Sequence, residues 1–213
     1  MVYTEGASVL QAKNAMTEKL AQEKEMASRK PRADSLRNRE KLLTAAHDVF
    51  SAGGPDASLE KVAKTAGVGI GTLYRHFPTR EAMFQAVYKR EIDQLVELAE
   101  RLAAEQAPFE ALRLWLHANV GMVATKKGLK AALAPTDGSA DALYADTSAR
   151  LTATIGRLMQ SAVDAGEIRD DMEPEDVMRA LIGMCYTREQ ADWQDKVIRL
   201  MDVFLDGLRT GRR

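Results

Sequence analysis

Ser58-Leu59-Glu60-Lys61-Val62-Ala63-Lys64-Thr65-Ala66-Gly67-Val68-Gly69-Ile70-Gly71-Thr72-Leu73-Tyr74-Arg75-His76-Phe77-Pro78-Thr79-Arg80-Glu81 contains two short helix-period segments joined across Gly67-Val68-Gly69. Ser58 is placed to cap the first, which carries Leu59, Val62, Ala63 and Ala66, and Glu60 lies near its positive end. Lys61 rather than Glu stands three residues after Ser58, so a plain cap is expected, not a capping box. The second segment, Ile70 to Phe77, stops at Pro78, and Thr79 caps the helix that follows. A supporting helix, a tight glycine turn and a second helix presented to a groove are the parts of a helix-turn-helix. Leu73 and Phe77, four residues apart, can lock into the core, which leaves Ile70, Thr72, Tyr74, Arg75 and His76 toward the outside or rim. Ile70 can meet a thymine methyl, Gly71 lets the backbone approach a groove wall, and Thr72 can bond a base edge or a phosphate. Tyr74 and His76 can donate to phosphates, Arg75 reaches either target, and Arg80 adds a cation beside the free N–H groups of a helix start.

Working outward, a helix is expected from near Ser35, with Leu36, Leu42, Leu43, Ala46, Val49 and Phe50 at helical spacing until Gly53-Gly54-Pro55. Arg37 and Arg39 at its start are phosphate candidates, alongside Ser58 and Lys61. The basic, helix-breaking Arg29-Lys30-Pro31-Arg32 precedes it and reads equally as a solvated tail or as an arm following phosphates or the minor groove. Downstream, Thr79 opens a long helix with Met83, Phe84, Val87, Ile92, Leu95, Val96 and Leu102 on its apolar face. Further helices are expected over 109–124, 126–133, 140–165, 174–185 and 188–208, separated by glycine- and proline-marked breaks such as Pro135-Thr136-Asp137-Gly138. The chain is thus all-α. An extension (1–33) precedes a three-helix DNA-binding domain (34–81) and a helical effector-binding and dimerisation domain (82–213).

The stretch 58–81 closely resembles the DNA-binding signature of the TetR (tetracycline repressor) family of bacterial regulators. The resemblance covers about residues 36–84, and its most diagnostic piece is Thr72-Leu73-Tyr74-Arg75-His76-Phe77, with Ala63, Gly67 and Val68 correctly spaced. It implies a homodimer whose recognition helices enter successive major grooves of a palindromic operator. Tyr74, His76 and Arg80 match phosphate-contact positions, and Ile70, Gly71 and Thr72 match groove-facing ones. Gly69 and Ile70 depart from the common pattern, which has a Ser cap and then a polar or basic residue, so readout leans on apolar contact and shape. The resemblance further implies a small-molecule pocket in the C-terminal interior, and Trp115, His117, Met122, Leu143, Tyr144, Thr147, Leu151, Ile155 and Met159 are its candidate lining. The last two helices carry Val177, Leu181 and Met184, then Trp193, Val197, Leu200, Met201, Phe204 and Leu208, at helical spacing. These are the candidate dimer face, with intramolecular core as the alternative for any one of them.

Length and composition set the outer limits. At 213 residues, 46% hydrophobic and 29% charged, the chain has the makeup of an ordinary globular protein of one large or two small domains. Thirty Lys and Arg balance thirty-one Asp and Glu, but between Arg29 and Arg80 ten basic residues face five acidic ones. That end carries +5 and the remainder −6, which concentrates positive charge on the DNA-reading unit. One cysteine, Cys185, and three scattered histidines argue against a disulfide framework or a metal site, and no cofactor is expected. Without an export signal or a membrane span, a cytoplasmic, nucleoid-associated bacterial protein is expected. The glycines at 67, 69 and 71 follow a helix, not a strand, and no Lys-Ser/Thr pair closes a phosphate loop, so no nucleotide chemistry is read from them. The expectation is a repressor released by a small, mostly hydrophobic ligand, and not an enzyme. A nucleoid or cell-division factor of the same fold, acting without an effector, is the alternative.

Overall fold

The structure, a computed structural model, describes residues 34–52, 57–133, 139–186 and 192–211, with side chains throughout except at 128–133 and 139–144. The extension 1–33 with its basic arm, the breaks at Gly53-Gly54-Pro55 and Pro135 to Gly138, and the expected helix start at Arg188 lie outside these residues. Eight helices form among the described residues: α1 over 34–52, α2 Leu59–Ala66, α3 Ile70–His76, α4 Arg80–Glu105, α5 Pro108–Leu133, α6 Ser139–Asp164, α7 Pro174–Cys185 and α8 Trp193–Asp206. None of them is long and apolar enough to cross a membrane. The separate helices expected over 109–124 and 126–133 are one helix, α5. Thr125 does not break it, because its hydroxyl lies 3.4 Å from the Gly121 carbonyl one turn back and 2.6 Å from Ser51 Oγ on α1.

Local chemistry shapes the α2–α3 turn. Ser58 Oγ accepts from the Lys61 N–H at 3.2 Å, which satisfies one of the free donors at the start of α2. At the other end Gly67 adopts φ +67°, its N–H donates to the Lys64 carbonyl at 3.1 Å, and the Val68 N–H reaches the Ala63 carbonyl at 3.0 Å. This pair of bonds is a Schellman closure, and its left-handed residue is disfavoured for any side chain bearing Cβ. Thr79 Oγ1 accepts from the Ala82 N–H at 3.0 Å and so opens α4.

Two apolar cores follow. The first gathers Leu42, Ala46 and Phe50 of α1, Leu59 and Val62 of α2, Leu73 and Phe77 of the α3 region, and Met83, Phe84 and Val87 of α4. Leu36, expected on that face, stays exposed. The second runs from Tyr88 on α4 through α5, α6 and α7 to Leu208. The cores meet inside α4, between Val87 and Tyr88, where the Phe84 and Tyr88 rings stack with centroids 5.9 Å apart. Near the C-terminus, backbone bonds from Arg169 to Leu208 and from Thr210 to Glu167 tie the chain end to the α6–α7 connection. Glu167 also accepts the Phe109 N–H at 2.6 Å, capping α5 from a distant part of the chain.

Polar contacts join α1 to the body. His47 Nδ1 lies 2.9 Å from Glu91 Oε1, and Arg90 donates to Thr44 at 3.1 Å. The hydrogen bond to Glu91 raises the His47 pKa against the opposing effect of burial, with Asp48 adding to the rise and Arg90 opposing it. Because the folded pKa is the higher one, the pair stabilises the fold fully below the unfolded His value, and this contribution fades as pH rises through the folded pKa. Replacing His47 by Gln is expected to remove that decline from the pH dependence of stability, and an NMR titration of His47 is expected to place its pKa above about 6.5. At the turn, Gly67→Ala is expected to lower stability by about 1 kcal/mol in chemical denaturation. Gly71→Ala lies in α3 with nothing within 4 Å of an added Cβ, and is expected to stabilise by up to about 0.5 kcal/mol.

Candidate functional site

α3 is held from behind and bare in front. Leu73 and Phe77 are buried against α1 and α4, whereas Ile70 is 40% and Tyr74 44% exposed. Arg75 and Arg80 are also exposed, while Thr72 and His76 are half-buried at the rim. An exposed isoleucine in the first turn of a short helix contributes nothing to the protomer's own core. Gly71 shares this open face, since a Cβ there would meet no atom within 4 Å. Its lack of a side chain is therefore not demanded by packing within the protomer.

The basic residues around α3 are placed unequally. Arg39 lies with its guanidinium 5.2 Å from the Phe77 ring centroid, a cation–π contact at the rim of the first core. Arg37 pairs with Asp34 one turn away on the exposed start of α1. Lys61 projects from the first turn of α2, where Ser58 is engaged as the cap. The Glu60 carboxyl is held below its ordinary range by its own backbone N–H, then by the Ser58 hydroxyl and by the positive charge of Arg80. The starts of α2 and α4 are thus electrostatic neighbours, a relation that the twenty intervening residues conceal in the sequence.

Behind this unit a cavity of about 230 Å³ opens between α4, α5, α6 and α7. Of the candidate lining residues, Met122, Thr147 and Leu151 face it. Trp115 is fully buried in the packed core, with Nε1 donating to the Leu95 carbonyl at 2.8 Å, and Ile155 and Met159 are core as well. His117 turns to α8, where Nε2 lies 2.7 Å from Asp202 Oδ1. The side chains of Leu143 and Tyr144 lie outside the described residues. Sequence reasoning omitted Tyr88, Val123, Lys126, Ser148, Met178, Ile182 and Tyr186, which also line the cavity. Asn119 on α5 and Thr147 on α6, buried polar residues on apolar helical faces, are the polar sequence signals for the cavity.

Five of the nine residues of the expected dimer face lie inside the protomer. Val177, Leu181, Val197, Met201 and Leu208 are 0–5% exposed inside the protomer's own core. Met184, Trp193 and Phe204 pack at its edge. The apolar side chains left outside on α7 and α8 are Ile182, Leu200 at 53% and Val203 at 72%, with Tyr186 just past α7. α8 is apolar on two sides, and periodicity selects the stronger stripe, which is the inward one. Cys185 is buried, and burial pushes its thiol up to about 11, which keeps it protonated and inert. Among the described residues no three His, Cys, Asp or Glu side chains gather to hold a metal ion.

Comparison with known proteins agrees with this architecture. Residues 42–87 match the family model for bacterial regulatory proteins of the tetR family, and residues 107–210 match the model for the SbtR-like transcriptional regulator C-terminal domain. The crystal structure of the TetR transcriptional regulator SCO0520 from Streptomyces coelicolor is 40% identical, with a TM-score of 0.72, over 82% of this chain and 99% of that one. A TetR transcription regulatory protein from Mycobacterium vanbaalenii is 34% identical over 84% and 99% of the two chains, with a TM-score of 0.67. The HTH-type transcriptional regulator SAR0097 of Staphylococcus aureus is 39% identical over 80 residues, which take in 36% of this chain and 41% of that protein. These proteins are transcriptional regulators, which are not enzymes. The chain belongs to the TetR family of bacterial transcriptional regulators, helix-turn-helix proteins that bind DNA and dimerise.

Proposed function

We propose that the protein is a homodimeric repressor that binds a palindromic operator through paired α3 helices and is released when a small, mostly apolar ligand enters the cavity between α4, α5, α6 and α7. The observation that carries this reading is the course of α4. Phe84 holds the helix-turn-helix core, Tyr88 one turn later forms part of the cavity wall, and the two rings stack. A ligand that displaces Tyr88 therefore pushes on the same rod that carries α3, and a tilt of α4 changes the separation of the two recognition helices. In this reading Ile70, Gly71 and Thr72 face the major groove, while Tyr74, His76 and Arg80 hold phosphates. Arg75, Lys61 and the α1 residues Arg37 and Arg39 add positive charge around them. Ser58 contributes by fixing the start of α2. The dimer forms through the outward apolar side of α7 and α8, where Leu200 and Val203 are the most exposed apolar residues.

Selection of bound duplexes from a random pool is expected to return two inverted half-sites, and a pool with no shared sequence would overturn the operator reading. Arg80→Ala is expected to weaken binding to every sequence and to reduce the slope of log affinity against log salt by about 1, while Tyr74→Phe weakens binding and leaves the slope unchanged. Gly71→Ala, stabilising for the protomer, is expected to weaken operator binding because the added methyl stands between backbone and groove. Leu200→Asp combined with Val203→Asp is expected to sediment as a folded monomer with poor operator affinity, and a persistent dimer would place the interface elsewhere.

A further inference from the structure

Asn119 sits on α5 in the wall of the cavity and is fully buried. Its Nδ2 donates to the Trp115 carbonyl at 2.8 Å, so the orientation of the carboxamide is set: turning it over would place two oxygens face to face. Oδ1, on the other side of the group, is a buried side-chain oxygen with no hydrogen-bond partner among the described residues. Buried amide oxygens are ordinarily paired, because an unpaired one has given up water for nothing. Met122, Val123, Leu151 and Leu181 line the cavity with side chains that offer dispersion contacts, and Thr147 and Ser148 line it beside them. Lys126 is held 5.6 Å from the Tyr88 ring centroid, and no carboxylate is among the described residues of the lining, so a cation entering the cavity finds no counter-charge among them.

We propose that the molecule this cavity takes is a neutral, largely apolar compound carrying one hydroxyl or N–H group that donates to Asn119 Oδ1. A cavity of roughly 150 Å³ lined by aliphatic and aromatic side chains accepts benzene, so 230 Å³ has room for about nine non-hydrogen atoms. This inference rests on the proposed ligand site and adds the chemistry that the site selects.

Isomer pairs that differ only in the donor test it. Calorimetric titration of the full chain with 4-ethylphenol against 4-methylanisole, and with 1-octanol against 1-methoxyheptane, is expected to show the alcohol or phenol of at least one pair binding about tenfold tighter than its ether. Asn119→Leu is expected to erase that preference while the ether still binds. Leu151→Phe, which narrows the cavity, is expected to abolish binding of both isomers. Circular dichroism melting of each variant separates a lost site from a lost fold, and if Asn119→Leu fails to fold, Asn119→Asp, which retains an acceptor, is expected to keep the preference. Equal affinity within both pairs, a preference that survives Asn119→Leu, or no binding of any of the four would overturn the inference. The same compounds are then added to the operator complex. Donor-selective binding that leaves the operator complex intact upholds the donor assignment and overturns ligand release. Release by both isomers alike upholds release and overturns the assignment.

Discussion

Phe84 and Tyr88 lie one turn apart on α4 and stack ring on ring, and each belongs to a different apolar core. The two apolar cores of the described residues divide at that turn. Upstream of it, α4 closes the small core that holds α3 in place. Downstream, Ile92, Leu95, Ala99 and Leu102 embed the same helix among α5 and α6. Packed cores respond to a shift by moving as units, not by deforming continuously, so a helix anchored in two of them couples their positions.

Where α1 meets α4 and α5 beyond the first core, the contacts are directional. His47 meets Glu91, Ser51 meets Thr125, and Arg90 reaches Thr44 and, at 3.6 Å, Glu40. Such pairs between partly exposed groups each stabilise modestly, but they specify an angle that apolar contact alone would leave loose. α8 is fastened differently. Asp202 faces both His117 and Arg113 of α5, and beneath these contacts Val197, Met201 and Leu205 fill the core. With that side of α8 occupied, Leu200 and Val203 are directed outward.

The helix-turn-helix was legible from residues alone because its determinants act over four positions or fewer. Ser58 caps its own helix, Gly67 closes it in a left-handed turn, and Leu73 and Phe77 share one face of α3. The cavity was legible only in part. Met122, Thr147 and Leu151 were found because they lie on apolar helical faces, but so do Trp115, Ile155 and Met159, which pack solid. Nothing local distinguishes a side chain that borders an empty space from one that fills it. Which apolar side of α8 faces inward was not legible for a related reason: a helix apolar on two sides does not reveal which side its own protomer covers.

From its sequence alone this protein has an all-helical fold, a recognition helix with an open, groove-sized face, and a basic end separated from an acidic body. These follow from caps, turns and periodicities, whose energies are settled between near neighbours in the chain. Only the tertiary structure decided that the cores divide between Val87 and Tyr88, that Glu60 lies close enough to Arg80 to feel its charge, and that Asn119 in the cavity wall keeps a buried, unpaired oxygen. Each of those depends on which surfaces cover one another, and burial and hydrogen-bond pairing between segments dozens of residues apart are set when the helices pack.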